Sequence, residues 1–350
     1  MSGRTLPRVS AGRPLVAFVG VVAAVAVLGA CSSGGSASSA PAAATTTPST
    51  LSTTAPTTTP TTGAPTTGAA TTVPPTVAAV TSCQPASGYT VGTTMHSITV
   101  GGVPRDFLVH LPPDPIGNMP LVVDFHGAGS DMRQQDLYSG FDTVADQHRF
   151  VVASPNGIDA PIRQWRFLGT QADVDFAKQL VPALAAAACV DPAHAYAVGL
   201  SSGSAMTASL ACQASNTYAG FGMVAGNFYL PTICAAARQR PIISFHGTAD
   251  PAVPYNGGRI LNSDVPVGGE EKTMAAWAAH NGCQVGPTVT HVSSEVTRLS
   301  WNGCAAPVEL YRIEGGGHTW PGAINVPRLG YTTHQISASA EMWKFFSGSA

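Results

Sequence analysis

The chain has 350 residues, 44% of them apolar, enough for one large α/β domain of roughly 250 residues plus an appendage and far too many for a disulfide knot. Lys and Arg number 17 against 19 Asp and Glu, a formal charge of -2, which leaves no electrostatic footprint for nucleic acid or an anionic lipid surface. Charged residues are only 10% of the chain, so a membrane protein would be suspected if apolar residues formed long runs, and they do so once.

That run opens the chain. Arg4, Arg8 and Arg13 precede an uncharged, Val-, Ala- and Leu-rich stretch from Pro14 to Ala30, the layout of an export signal. It ends Leu28-Gly29-Ala30-Cys31, and small residues before a cysteine at that place resemble a bacterial lipobox. Residues 1–31 are expected to be a signal peptide that leaves Cys31 as a lipidated first residue; an ordinary cleaved signal or an uncleaved anchor are the alternatives. Residues 32–82 are almost wholly Ser, Thr, Ala, Pro and Gly, too poor in apolar surface to offset the entropy of ordering the chain. They read as a disordered tether with a reach on the order of 150 Å when extended, which holds residues 83–350, the expected catalytic domain, clear of a bilayer.

Six of the seven cysteines follow: Cys83, Cys189, Cys212, Cys234, Cys283 and Cys304. An even number in an exported chain implies three disulfides, and the absence of any C-x-x-C spacing points away from zinc. The expected pairs are Cys212 with Cys234, Cys283 with Cys304, and Cys83 with Cys189, the last fastening the start of the domain.

Strand-like runs then occur at Arg105–Leu111, Leu121–Phe125, Phe150–Ala153, Ala195–Val198, Gly220–Ala225, Pro241–Phe245 and Val308–Ile313. Helical patterns lie between or after them at Met132–His148, Asp173–Ala188, Ser202–Ala214, Glu270–Asn281 and His334–Phe346. Alternating strands and helices predict one doubly wound, mostly parallel sheet with helices on both faces and a site at the carboxyl ends of strands.

Gly199-Leu200-Ser201-Ser202-Gly203 stands between the strand ending at Val198 and the following helix, the strand-turn-helix setting in which a G-x-S-x-G turn exposes a nucleophilic serine. The serine needs a base, and the base an orienting carboxylate. His318 follows Gly315-Gly316-Gly317 after the last strand, where loose glycines would let the ring reach the serine, and Asp250 follows the strand Pro241–Phe245. The chain order Ser201, Asp250, His318 is that of α/β-hydrolases. For the oxyanion hole, the segment His126-Gly127-Ala128 after an early strand supplies the backbone N–H of Ala128, and the second donor is the N–H of Ser202. His126 itself reads as scaffold. Trp165, Tyr255 and Trp320 are candidate substrate-binding aromatics, with the core as the competing place for each.

Together with Asp173-Val174-Asp175-Phe176, Asp250-Pro251-Ala252-Val253-Pro254-Tyr255 and Gly317-His318-Thr319-Trp320-Pro321-Gly322, these motifs resemble the polyhydroxybutyrate depolymerase/feruloyl esterase family, over about Arg105 to Trp343. That group includes carbohydrate esterase family one enzymes and actinobacterial esterase lipoproteins. The resemblance implies the α/β-hydrolase fold, with Ser201 as nucleophile, Asp250 as acid and His318 as base. Two positions depart from it: Ser204 stands where the family often has a second glycine after G-x-S-x-G, and Ala128 where it often has Cys or Gly. The expected activity is hydrolysis of small soluble or cell-wall-linked and carbohydrate-linked esters, of feruloyl, acetyl or hydroxybutyrate type, with no metal or organic cofactor. The expected form is a monomer, extracellular or anchored to the membrane through its lipid alone. An envelope acyltransferase on the same fold and a catalytically inert surface binding lipoprotein are the rival readings.

Overall fold

The computed structural model describes residues 83–349 apart from 116, 160, 167–170, 227 and 229–233. The expected signal peptide, Cys31 and the expected tether lie outside the described residues.

The domain starts with an antiparallel pair, β1 (Gly92–Val100) and β2 (Val103–Leu111), followed by β3 (Met119–Phe125), α1 (Met132–Ser139), α2 (Phe141–His148) and β4 (Val151–Pro155). A two-residue ribbon, β5 (Ile158–Asp159) and β6 (Arg163–Gln164), leads to α3 (Ala172–Ala187), β7 (Val190–Leu200), α4 (Ser202–Gln213) and β8 (Gly220–Val224). Then come β9 (Ile242–Gly247), a second small ribbon of β10 (Gly258–Arg259) and β11 (Pro266–Val267), α5 (Glu270–His280), β12 (Val285–His291), β13 (Val296–Asn302), β14 (Val308–Ile313) and α6 (Ala338–Ser347).

Ten strands form one sheet in the order β1-β2-β4-β3-β7-β8-β9-β14-β13-β12. From β4 to β14 the neighbours pair in parallel, and both edges are antiparallel. This is the α/β-hydrolase fold, as expected. Alternation along the strands divides the core in two. Val122, Val198, Ile243 and Phe245 face Phe141, Trp343 and Phe346 of α2 and α6. Leu121, Val123, Ala197 and Phe221 face Phe176, Leu180, Met206 and Trp277 of α3, α4 and α5. Strands covered on both faces read as continuous apolar runs, and so the central ones were visible in the sequence.

The differences have local causes. The pattern Met132–His148 is two helices, because Gly140 at φ 64° ends α1, its N–H returning to the Asp136 carbonyl. The last helix begins at Ala338, four residues after His334, where the Ser337 hydroxyl caps it by accepting from Ala340 N. The strands β1, β12 and β13 were not anticipated: β1 has one face in solvent, and β12 is exposed throughout.

The three disulfides join Cys83 to Cys189, Cys212 to Cys234 and Cys283 to Cys304, the expected pairs. A buried ion pair holds the start of α3. Arg105 Nη2 lies 2.6 Å from Asp173 Oδ1, with the guanidinium 4.1 Å over the Phe176 ring, and Asp173 Oδ2 accepts from Arg166 N at 2.6 Å. The Asp173 to Phe176 motif therefore ties β2, α3 and the segment after β6 together.

Candidate active site

The sheet reverses its winding between β3 and β7: β4 lies on one side of the pair and β8 on the other. A crevice opens at the carboxyl ends of strands at such a point. The loop after β3 carries Ala128, and the turn after β7 carries Ser201.

Ser201 has φ 55° and ψ -113°, a region that costs a non-glycine residue roughly 1–3 kcal/mol. The strain is imposed by pairing on both sides: Ser201 N donates to Val224 O of β8, and Ser201 O accepts from Ala205 N in α4. Gly203 must lack a side chain, because a Cβ there would collide with the Phe125 carbonyl of β3. The Ser201 side chain does not cap α4, so the hydroxyl is spared for other partners. The first N–H groups of a helix have no intrahelical acceptor, and Ser202 N is the first of them.

His318 and Ser201 line the same cavity, with Ala128 beside them. His318 Nδ1 lies 2.8 Å from Asp250 Oδ2. The other carboxylate oxygen, Oδ1, accepts from Ala252 N and Val253 N, each at 2.8 Å, which fixes the rotamer. Burial alone would raise the Asp250 carboxyl, but the facing imidazoles of His318 and His246 hold it well below the usual carboxylate range. The histidine loop is not loose, contrary to expectation. Gly317 N donates to Tyr331 O at 2.8 Å and His318 N to Leu329 O at 2.7 Å, so the segment after the histidine motif pins the ring in place.

His126 is scaffold. It is fully buried, which pushes its imidazole down to about 4, and as a neutral ring it donates from Nδ1 to Gly127 O at 2.7 Å and accepts at Nε2 from Gly157 N at 3.0 Å. The Gly129 N bond to Arg163 O, 2.8 Å long, ties the Ala128 loop to the small β5–β6 ribbon.

The three aromatics proposed for substrate binding do not line the cavity and are corrected to framework. Trp165 is buried edge-on against Phe125 and donates from Nε1 to the His126 carbonyl at 2.8 Å. Trp320 is fully buried among Phe141 and its neighbours, its Nε1 satisfied by Ser339 Oγ at 3.0 Å. Tyr255 is buried, with its hydroxyl donating to Glu271 Oε1 at 3.0 Å. In each case the polar tip has a protein partner, as buried Trp and Tyr require.

Other residues form the walls. Ser130, Gln134, Gln135 and Tyr138 come from the loop after β3 and from α1. Leu200, Val326, Arg328 and Leu329 face them. Gln135 donates from Nε2 to the fully buried Asp124 at 2.8 Å, and burial pushes the Asp124 carboxyl up to about 8. The 134/138 spacing on one face of a helix next to the Ala128 loop was a usable signal for the α1 wall. The Val326–Leu329 wall had none, since it is held by backbone pairing to the histidine loop. Among the described residues no group of three or more His, Cys, Asp or Glu is placed to hold a metal ion.

The sequence signature of the family described as Esterase PHB depolymerase matches residues 106–254. NocK of Nocardia uniformis subsp. tsuyamanensis, named as an esterase, is 31% identical over 73% of this chain and 83% of its own length. A protein of Aspergillus oryzae named as feruloyl esterase C is 26% identical over 69% of this chain and 83% of its own. Among solved structures, the acetyl xylan esterase from Aspergillus awamori superposes with a TM-score of 0.56 at 16% identity, over 73% of this chain and all of that one, a likeness of fold.

Proposed function

The chain belongs to the esterase PHB depolymerase family and is a serine carboxylic ester hydrolase, and from that premise we propose that Ser201, His318 and Asp250 are its catalytic triad, with Ala128 N and Ser202 N as the oxyanion hole. One observation carries this reading: the strained Ser201 faces the same cavity as a histidine whose far nitrogen is bonded to a buried carboxylate.

In the proposed reaction His318 Nε2 takes the Ser201 hydroxyl proton as Oγ attacks the ester carbonyl. The negative charge on the former carbonyl oxygen falls between Ala128 N and Ser202 N, at the positive end of α4. The tetrahedral intermediate expels the alcohol, which receives the proton from His318, and leaves an acyl-enzyme on Ser201. Water, activated by the same histidine, then releases the acid. Asp250 keeps the Nδ1–H tautomer throughout.

The proposed substrates are small soluble or cell-wall-linked and carbohydrate-linked esters, of acetyl, feruloyl or hydroxybutyrate type. The names of the relatives support the first two. A fluorophosphonate is expected to add one phosphonyl group to Ser201 of the folded protein, found by peptide mass. Short nitrophenyl esters, methyl ferulate, acetylated xylan and hydroxybutyrate oligomers then rank the substrates. Absence of the adduct in active protein would remove Ser201 from the role.

The protein is further proposed to be exported and anchored through Cys31. Metabolic labelling with a lipid precursor is expected to tag the wild type and not Cys31→Ser, and an unlabelled wild type would leave only a cleaved signal or a bare apolar anchor.

A further inference from the structure

Behind Asp250 the structure continues the line of hydrogen bonds into the core. His246, at the end of β9, lies 3.2 Å from Asp250 Oδ2 through Nε2, and the same nitrogen is 2.9 Å from Val253 O. On the other side Nδ1 lies 2.8 Å from Glu270 Oε2, and Glu270 Oε1 accepts from Ser244 Oγ at 2.6 Å. Every one of these side chains is buried. Glu270 stands on the first turn of α5, where the helix dipole favours an anion.

With Asp250 and Glu270 ionised, both ring nitrogens of His246 face groups that only accept. A neutral imidazole carries one N–H and one lone pair, and either tautomer would aim that lone pair at a carboxylate or a carbonyl in a buried place. Only the doubly protonated ring satisfies both sides. We infer that His246 is a buried imidazolium that positions Asp250 and offsets part of its charge, with Glu270 as counter-ion, so that the triad is the outer part of a line Ser201–His318–Asp250–His246–Glu270. This rests on the triad reading above. Burial on its own would lower the His246 imidazole, but Glu270 and Asp250 outweigh it and push it up to about 10, in agreement with the geometry. Among the described residues Tyr255 also packs against the ring, edge-on at 5.6 Å, and burial raises its phenol so that it stays neutral. Its hydroxyl leads outward to Glu271, which is paired with Arg312 Nη1 at 3.1 Å.

The role as a positioning residue has a signature in the pH profile. His246→Gln removes the cation while Asp250 keeps its charge. The carboxylate then favours protonated His318 more strongly, and the acid limb of kcat/KM is expected to move up by about one pH unit. Glu270→Gln removes an anion while His246 still faces Asp250. The net negative charge behind His318 falls, and the limb is expected to move down by a similar amount. Opposite movements in two variants whose near-UV circular dichroism matches the wild type support the inference. Movement in the same direction, or none, overturns it, since loss of packing alone has no reason to act with opposite sign.

A second measurement needs neither variant to fold. In the 15N-histidine-labelled wild-type protein at pH 8, the ring assigned through its contact with Tyr255 is expected to show both N–H groups; a single N–H there overturns the inference. Because this reads the ring and not turnover, it separates failure of the His246 assignment from failure of the triad, which would appear as undiminished activity in Ser201→Ala.

Discussion

Ser201→Ala is expected to lower ester turnover by on the order of a millionfold, measured as kcat on a short nitrophenyl ester. The size follows from what the substitution removes and what it leaves. It deletes the single oxygen that forms the covalent bond. Ala128 N and Ser202 N are backbone groups and stay, as do the cavity walls and the positive end of α4. Electrostatic stabilisation and binding alone account for a residual acceleration on the order of 10³–10⁴ over water. Alanine keeps a Cβ, so the backbone cost at φ 55° is nearly unchanged and the fold should melt close to the wild type. Ser201→Gly separates strain from chemistry: it is equally inactive but relieves the positive φ, and its melting temperature is expected to be no lower than that of the alanine variant. Turnover within tenfold of wild type in Ser201→Ala would sink the assignment of the nucleophile.

The part of this site that could be read from the sequence is the part made by short-range rules. A serine between two glycines, after an apolar strand and before a helix, states its own geometry, because Gly203 is needed wherever the turn passes this close to the β3 carbonyl of Phe125. Asp250 was legible from its place after β9, which is buried throughout, and His318 from its place after β14, where Val308, Leu310, Tyr311 and Ile313 are buried and Glu309 and Arg312 half-buried. What was illegible depends on contacts between distant segments. Val326, Arg328 and Leu329 reach the cavity only because residues 329–331 pair with the histidine loop. Whether Trp165, Tyr255 and Trp320 face the pocket or the core was undetermined by their spacing, and each went to the core because a carbonyl, a hydroxyl or a carboxylate there satisfies its polar atom. The edge strand β12 is exposed throughout, and β13 beside it alternates buried Leu299 and Trp301 with half-buried Arg298 and Ser300, so neither carries an apolar run. Their tip has a task all the same: Glu295, between them, accepts from Tyr331 Oη at 2.8 Å and Thr333 Oγ1 at 2.5 Å, bracing the segment that pins His318.

Asp250→Asn is expected to lower kcat on the order of 10⁴-fold, about 5 kcal/mol of transition-state stabilisation, with a much smaller change in KM. The hydrogen bonds around the carboxylate show why an amide cannot stand in. Oδ1 accepts from both Ala252 N and Val253 N, so the asparagine must keep its carbonyl oxygen on that side. Its NH₂ then occupies the place of Oδ2, facing His318 Nδ1 at one hand and His246 Nε2 at the other. An NH₂ group only donates, and His318 can meet it only by turning its Nδ1 lone pair inward, which moves its proton to Nε2. The nitrogen that should accept the Ser201 proton then already carries one. The base is present, correctly placed and in the wrong tautomer, and so binding survives while proton transfer fails. Kinetics on the same nitrophenyl ester, with circular dichroism to verify the fold, tests this: a kcat within tenfold of wild type would mean that Asp250 does not orient the base.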